Sequence, residues 1–536
     1  METRQGKQLG PPGPSPQVTA PSLLQSRWVL GLLFLLVSAT YFYAAIVKSR
    51  TANLWMDEIL AVSVARQLSL AAIWSAIWHG LELTPPTYDI LLHYLARLAG
   101  EGSGRLIWRL PSIAAVYATA VCVYFLLRKQ LSPLVALLAF GIVLDSELFD
   151  FAVQARQYAL STLGLTIALL LWNNFPGTRF PKLQSAALWL VLSLCISLYF
   201  FGIIEVAVIG AAEAIWFLTR KQFRLGIWLS VVLTIPIAAA WRPLASHLAS
   251  LYAINATAPG YFGRPTASSF IDAMFDVVLG GKPGALLLLA GLVLIGFAYL
   301  LQNSDLRPFA HENLPPQNPR RFALSRLEII LLSIFSLPFL TFALAFFVTK
   351  TFSPRYIIAA ALLSAIAPAV MLNRLPSRRL VALALIPLLL GTMAGRAHAP
   401  LSIIPESATD ALALLRTPRP PLPIVVGEGL LYIELMDSAD PKTRSLLVYL
   451  ERPADQPSPD PTNENLVKNL AAFRPDYRVQ QQSRFLANHP SFYLLARPNA
   501  STDTTTPSLI QQKLIVGIVN QLGDAQIFRA NANAGR

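Results

Sequence analysis

Two adjacent carboxylates, Asp57 and Glu58, follow directly on the first long apolar run of the chain, Trp28 to Val47. In Leu54-Trp55-Met56-Asp57-Glu58 they stand beside an aromatic and two aliphatic side chains, at the point where the chain should leave a membrane. Carboxylates so placed could cap and charge the start of a following helix. One of them could instead act as a base toward a hydroxyl held near the lipid surface. Further ionisable groups fall on the same side. Glu82 lies in the same loop, and Asp145, Glu147 and Asp150 close the third apolar run. Gln154-Ala155-Arg156-Gln157-Tyr158 opens the fourth run, and Lys350 with Ser353-Pro354-Arg355-Tyr356 opens a late one. Ionisable groups at membrane depth are costly and mark function by default. Each has a plain alternative: snorkelling for Arg156 and Arg355, an aromatic belt for Tyr158 and Tyr356. Glu147 and Asp150, one helical turn apart, could share a metal, and solvation is the favoured reading.

These groups need elements to hold them, and the composition says which. Of 536 residues, 54% are hydrophobic and 13% charged, about half the charge of a soluble domain. Apolar runs recur at Trp28–Val47, Trp108–Leu127, Pro133–Leu148, Tyr158–Trp172, Ala186–Phe201, Ile203–Leu218, Ile227–Ala245, Ala285–Leu301, Ile329–Val348, Tyr356–Leu372 and Val381–Thr392. That is about eleven spans near the ~20 residues a bilayer requires, and the first is too long for a cleaved signal. Ile203–Leu218 carries Glu205 and Glu213 and is the least secure. The net charge of +14 sits in small clusters between runs, which excludes a nucleic-acid surface and fits cytoplasmic loops. With the N-terminus in the cytoplasm, the connections at Arg128-Lys129, Arg179–Lys182, Arg220–Arg224, Arg307–Arg326 and Arg374–Arg379 are all cytoplasmic and all basic. The groups that could do chemistry then share the outer face. Cys122 and Cys195 lie in apolar runs, where packing is their expected role.

Residues 1–26 read as a cytoplasmic polar tail, 27–394 as the transmembrane module with an outer loop over 48–107, and 395–536 as a soluble outer α/β domain. In the outer loop, Ile59, Val62, Ala65, Leu68, Ala72, Ile73 and Ile77 recur at helical spacing and predict one amphipathic interfacial helix. Thr84-Pro85-Pro86 breaks it, and Tyr88 to Leu98 predicts a second, closed by Gly100. In the C-terminal part, Pro423–Val426, Ser445–Leu450 and Phe492–Ala496 predict strands, and Asn463–Phe473 and Leu509–Leu522 predict helices. The fold class is therefore an all-α polytopic membrane protein carrying a small α/β domain on its outer face. No catalytic motif appears in that domain.

The order of several short motifs resembles the GT-C class of membrane glycosyltransferases. Within it, the chain is similar to the protein O-mannosyltransferase and aminoarabinose–lipid A transferase family (glycosyltransferase family 39-like). The residues that carry the likeness are Trp55-Met56-Asp57-Glu58; Pro85-Pro86-Thr87-Tyr88 with Leu91-Leu92-His93; Arg109-Leu110-Pro111-Ser112; Ala155-Arg156-Gln157-Tyr158; and Pro354-Arg355-Tyr356. No single motif is specific; their order and common side are. Two departures stand out. Gln154 occupies a position where relatives often carry an acid, and Tyr199-Phe200-Phe201-Gly202 replaces a histidine-containing turn.

The resemblance implies a polyprenyl-phosphate sugar as donor and a hydroxyl on a glycan, lipid or protein as acceptor, at the outer face of a bacterial inner membrane with the C-terminal domain in the periplasm. It implies Arg156 and Arg355 on the donor phosphate, with Tyr158, Tyr356 and Lys350 beside them. Arginine forks match phosphate oxygens, and a phosphate leaving group needs no general acid. One base suffices for the acceptor: Asp57, with Glu58 orienting it or binding sugar hydroxyls. Glu82, Tyr88, His93, Glu147 and Asp150 are candidates for substrate contacts. No cofactor is expected; Asp57-Glu58 could hold a divalent metal ion, but no histidine or third ligand accompanies them. The alternative is a transporter or flippase of lipid-linked sugars, which should carry its ionisable groups at the bilayer midplane and an inverted repeat; no such repeat is evident.

Overall fold

The computed structural model describes residues 27–100, 104–251, 263–280, 324–375, 377–401, 408–452, 461–497, 503 and 505–532. The described residues begin with a long helix, α1 (Arg27–Thr51), and three short ones, α2 (Met56–Ala65), α3 (Leu70–Trp78) and α4 (Thr87–Ala99). Then follow α5 (Arg105–Leu127), α6 (Pro133–Asp145), α7 (Leu148–Ala152), α8 (Tyr158–Asn174), α9 (Pro181–Leu198), α10 (Gly202–Arg220), α11 (Leu225–Val232) and α12 (Ile235–Leu251). Helices at Ala267–Leu279, Arg326–Leu344 and Arg378–Gly395 complete the bundle, together with a 3-10 turn, Pro354–Ala361, that runs into the helix Leu362–Asn373.

Among the described residues, eight helical segments are long and apolar enough to cross a bilayer: Arg27–Thr51, Arg105–Leu127, Pro181–Leu198, Gly202–Arg220, Leu225–Leu251, Arg326–Thr349, Pro354–Asn373 and Arg378–Gly395. The chain is an integral membrane protein. Eight of the eleven expected runs coincide with these segments, and Ala285–Leu301 lies outside the described residues. The other two are α6, of 13 residues, and α8, of 17. At 1.5 Å per residue these reach about 20 and 26 Å, short of the ~30 Å hydrocarbon core. Both nevertheless run from one end of the bundle to the other, and α6 is buried along nearly its whole length within it.

The loop between α1 and α5 departs from expectation. The single predicted helix is two, α2 and α3, because Ser69 interrupts it. Its hydroxyl accepts from Ala72 N–H at 3.2 Å and caps α3. Nor is α2 amphipathic: every residue from Asp57 to Ala65 is buried. The second predicted helix is α4, closed by Gly100 with φ of 84°.

The connections sort by end. At one end Lys129 Nζ donates to Asn174 Oδ1 (3.0 Å), Arg326 to the Asn173 carbonyl (3.2 Å), and Ser132 N–H to Asn373 Oδ1 (3.0 Å). Arg224 pairs there with Glu213, its guanidinium between the rings of Trp172 and Trp216. At the opposite end lie α2 to α4, the 145–157 segment, the Tyr199–Gly202 turn, the 350–356 segment and the C-terminal sheet. Gly202 permits the α9–α10 turn: a Cβ there would sit 2.3 Å from the Cys195 carbonyl oxygen.

The sheet holds β1 (Ile424–Val426), β2 (Leu447–Glu451), β3 (Val479–Gln481), β4 (Ser491–Ala496), β5 (Ile515–Leu522) and β6 (Ala525–Asn531) in the order β3-β2-β1-β4-β6-β5. The first four are parallel, with β6 antiparallel to β4 and to β5. The three expected strands and the helix over Asn463–Phe473 are present. Leu509–Leu522 is not one helix: it divides into a helix, Thr505–Gln511, and β5. Lys513, at φ 57°, ends the helix, and the β-branched residues Ile515, Val516, Ile518 and Val519 that follow favour an extended chain. The unit rests on α2 and α3: Asn469 Nδ2 donates to the His79 carbonyl (2.8 Å) and Arg474 to Ser63 Oγ (3.3 Å).

Candidate active site

The first turn of α2 carries both carboxylates, and they go to different partners. Glu58 accepts two parallel bonds from Arg109, at 2.8 and 2.7 Å, between side chains no more than 1% exposed. It also accepts from Ala155 N–H (2.7 Å) and reaches back to Trp55 N–H (3.3 Å), the carboxylate half of a capping box. Arg109 spends its other N–H groups on the carbonyls of Ser49, Ala52 and Asn53. Glu58 thus ties the end of α1, the start of α2, α5 and the 153–157 turn into one frame. Its oxygens are taken, so it is not placed to orient Asp57 or to bind sugar.

Asp57 faces two arginines. Arg355 donates to its Oδ2. Arg156 lies 4.0 Å from the same oxygen and donates to the Asp57 carbonyl at 3.1 Å. Arg156 also forms a fork on Glu82, at 2.5 and 3.1 Å. Burial opposes the charge on Arg156, but Glu82 and Asp57 more than offset it and hold the guanidinium above the usual arginine range. Residues 57, 82, 156 and 355, from four separate segments, converge as the topology predicts. Asp89, buried in α4, stands beside Glu82; burial first, then the Glu82 charge, pushes its carboxyl well above the ordinary range.

An aromatic wall stands against the arginines. Tyr158 and Tyr356 lie 5.8 Å from the guanidinium carbons of Arg156 and Arg355 respectively. Tyr356 stacks on Phe201 (4.4 Å), and Tyr199 packs edge-on to Tyr158 (5.3 Å). Together with Ser161 and Glu205 these rings line a narrow pocket that opens onto Arg355. Four buried polar atoms here have no hydrogen-bond partner: Arg156 Nε, Arg355 Nε, Tyr199 Oη and Glu205 Oε2. Such atoms ask for a ligand or water.

The remaining candidates fall elsewhere. Tyr88 Oη is 3.4 Å from Ser112 Oγ, which donates to the Arg156 carbonyl (3.1 Å), so Tyr88 supports the arginine turn from behind. The His93 ring bonds the Ala65 carbonyl (2.8 Å) and fastens α4 to the end of α2. Both are buried frame residues. Glu147 and Asp150 gather with Asp145 about Arg396, which donates to Asp145 Oδ1 (3.1 Å) and Asp150 Oδ1 (3.2 Å) and lies 4.0 Å from Glu147. They belong to that cluster and not to the Asp57 site. Lys350 donates to the Phe346 carbonyl (2.7 Å) at an exposed turn.

Both carboxylates of the Asp57-Glu58 pair face guanidinium groups. Among the described residues, no three His, Cys, Asp or Glu side chains are grouped as metal ligands. A second cavity, of about 380 Å³, lies between the end of α1 and the C-terminal unit, lined by Lys48, Trp55, His398 and Glu434 among others.

Sequence reading missed three residues. Arg109 stands in one of the motifs that carry the resemblance but receives no role there, and Arg396 gives no signal, because an arginine's partner in a distant segment cannot be read from spacing. Glu205 did give one, an acid inside an apolar run, but it read as a doubt about the span.

No family model matches the chain and no curated protein matches it. Solved structures do. The apo structure of ArnT from Cupriavidus metallidurans superposes with a TM-score of 0.55 at 13% identity, covering 95% of this chain and 98% of that one. The structure of the same protein bound to undecaprenyl phosphate gives 0.54 at 16% identity, covering 94% and 99%. The chain has the GT-C fold. The oligosaccharyltransferase of Archaeoglobus fulgidus is a more distant likeness, with a TM-score of 0.45 at 11% identity. Within the GT-C fold the match runs through the C-terminal unit as well as the bundle, since nearly the full length of both chains is covered.

Proposed function

We propose that the protein is a glycosyltransferase that moves a sugar from a polyprenyl-phosphate donor to an acceptor hydroxyl, with inversion at the anomeric carbon. The observation that carries this is the convergence of Asp57 with Arg156 and Arg355. A base and two phosphate-matching cations meet at one end of the bundle, at interfacial depth. In the reaction the acceptor oxygen attacks the anomeric carbon, the bond from that carbon to the phosphate oxygen breaks, and Asp57 takes the acceptor proton. The polyprenyl phosphate leaves with its charge facing Arg355 and Arg156. A prepositioned donor of this kind supplies about 3–4 kcal/mol in comparable sites.

Asp57 and Arg355 neutralise each other before the donor arrives. A phosphate that engages Arg355 competes with Asp57 for it and frees the carboxylate to face the acceptor hydroxyl. The GT-C fold supports the reading, as does the undecaprenyl phosphate in the ArnT structure. By the basic loops, the site faces the periplasm of a bacterial inner membrane, with residues 1–26 in the cytoplasm and 395–536 outside. A transporter would need open ionisable groups near the midplane. Glu213 is instead closed off by Arg224 and by the Trp172 indole N–H at 3.0 Å, at the end of the bundle opposite Asp57.

The test is reconstitution of the purified protein with undecaprenyl-phosphate-linked sugars and a panel of glycan, lipid and peptide acceptors. Acceptor-dependent release of undecaprenyl phosphate is expected. Movement of the intact donor across the bilayer without its consumption would overturn the proposal in favour of a flippase.

A further inference from the structure

Glu205 is the fourth residue of α10, in the first turn, 6% exposed although its helix is apolar enough to cross the membrane. Ser161 Oγ donates to its Oε1 at 2.5 Å and the Cys195 thiol also faces the carboxylate, while Oε2 is buried with no nitrogen or oxygen partner among the described residues. A carboxylate oxygen left in that condition costs stability, so a purely structural Glu205 would be an odd choice where serine meets helix. The orphan oxygen is not isolated. Glu205 lines the same narrow pocket as Arg355, Tyr158, Tyr199 and Tyr356, and two further orphaned polar atoms, Tyr199 Oη and Arg355 Nε, belong to that lining. The pocket therefore brings a cation, an unsatisfied acceptor and aromatic faces into one lining.

We propose that this pocket is the subsite for the transferred sugar, and that Glu205 accepts hydrogen bonds from the sugar's hydroxyls. This rests on the glycosyltransferase reading above. With the donor phosphate on Arg355, the anomeric carbon lies one bond beyond the phosphate oxygen, and the ring has the aromatic wall to pack against. Glu205 Oε2 and Tyr199 Oη then answer the ring's donors and acceptors. Polar groups of this kind, few and fixed in an otherwise apolar wall, are what set ligand orientation. The free space is about 20 Å³, room for one water. The Phe201–Tyr356 and Tyr199–Phe201 stacks, at 4.4 and 5.4 Å, close it, so the sugar enters by parting those rings.

The experiment compares affinities of the full-length protein in nanodiscs for two kinds of probe. One is bare undecaprenyl phosphate; the other is undecaprenyl phosphate carrying glucose, mannose or aminoarabinose. Wild type should bind at least one sugar-linked form more tightly than the bare lipid. Glu205→Ala should lower that affinity roughly 10- to 100-fold, the range for a hydrogen bond to a charged group, with Glu205→Gln intermediate. Binding of the bare lipid should stay within about twofold in both variants, which also reports that they are folded. Equal weakening of both probes would make Glu205 a structural support, and no change in either would leave it without a role; both overturn the subsite. Wild type that binds the bare lipid but prefers no sugar-linked form overturns the subsite alone. Wild type that binds neither overturns the glycosyltransferase reading with it.

Discussion

Asp57 and Arg355, 298 residues apart in the chain, form a partly buried ion pair in which the guanidinium donates to the carboxylate. The pair joins the candidate base to a candidate phosphate ligand. Asp57→Asn should reduce transfer by about 10²–10⁴-fold, the usual contribution of a positioned base. The same variant should bind undecaprenyl phosphate at least as tightly as wild type, because Arg355 no longer has a carboxylate to leave. Titration of the lipid into purified variant, beside the transfer assay, reads both. Weaker lipid binding in Asp57→Asn would show that the pair assists the donor and does not compete with it.

Arg156 and Arg355 should fail differently. Arg156 is held on three sides, by Glu82, the Asp57 carbonyl and the Tyr158 ring. Arg355 has only its contact with Asp57 and the Tyr356 face among the bonds described. Arg355→Lys should raise the donor KM and leave the thermal midpoint close to wild type, since a lysine keeps the charge but loses the fork. Arg156→Lys should lower the thermal midpoint as well, because the Glu82 fork is lost with it. Identical midpoints for the two variants would show that the Glu82 fork does not hold Arg156 in place.

Glu58 and Arg109 make the sharpest contrast with Asp57. Breaking a buried ion pair by removing one partner costs about 3–5 kcal/mol. Glu58→Gln or Arg109→Met should therefore lower the unfolding midpoint markedly in detergent, and activity per folded molecule should fall less than in Asp57→Asn. A fully stable but inactive Glu58→Gln would return Glu58 to the chemistry.

The sequence exposed the site's membership better than its wiring. Asp57, Glu82, Arg156 and Arg355 could be put on one face because alternating basic loops assign each span end to a side, a rule that acts locally. Which carboxylate meets which arginine depends on contacts across 51 to 298 residues, and nothing local encodes them. Hence Glu58 was paired with Asp57 by adjacency, although successive residues of a helix point about 100° apart. In the C-terminal unit the parallel strands were legible as short apolar runs, while β5 passed for helix because its apolar residues continue those of the helix before it.

Asp89 gives the pH dependence. Its folded-state pKa is raised by burial and by Glu82, so the folded protein binds this proton more strongly than the unfolded chain, in which the value is about 3.9. Stability from this group is then complete below the unfolded pKa and is lost as pH rises through the folded one. At neutral pH the group is a cost: its Oδ2 is buried without a partner, beside another carboxylate. Asp89→Asn keeps the shape and removes the charge. Unfolding midpoints of this variant should equal or exceed wild type at pH 7.5, and the advantage should shrink as pH is lowered toward 5. A variant less stable than wild type at pH 7.5 would mean that the ionised carboxylate is needed there, held by Arg156 across Glu82, and would make Asp89 a working member of the site.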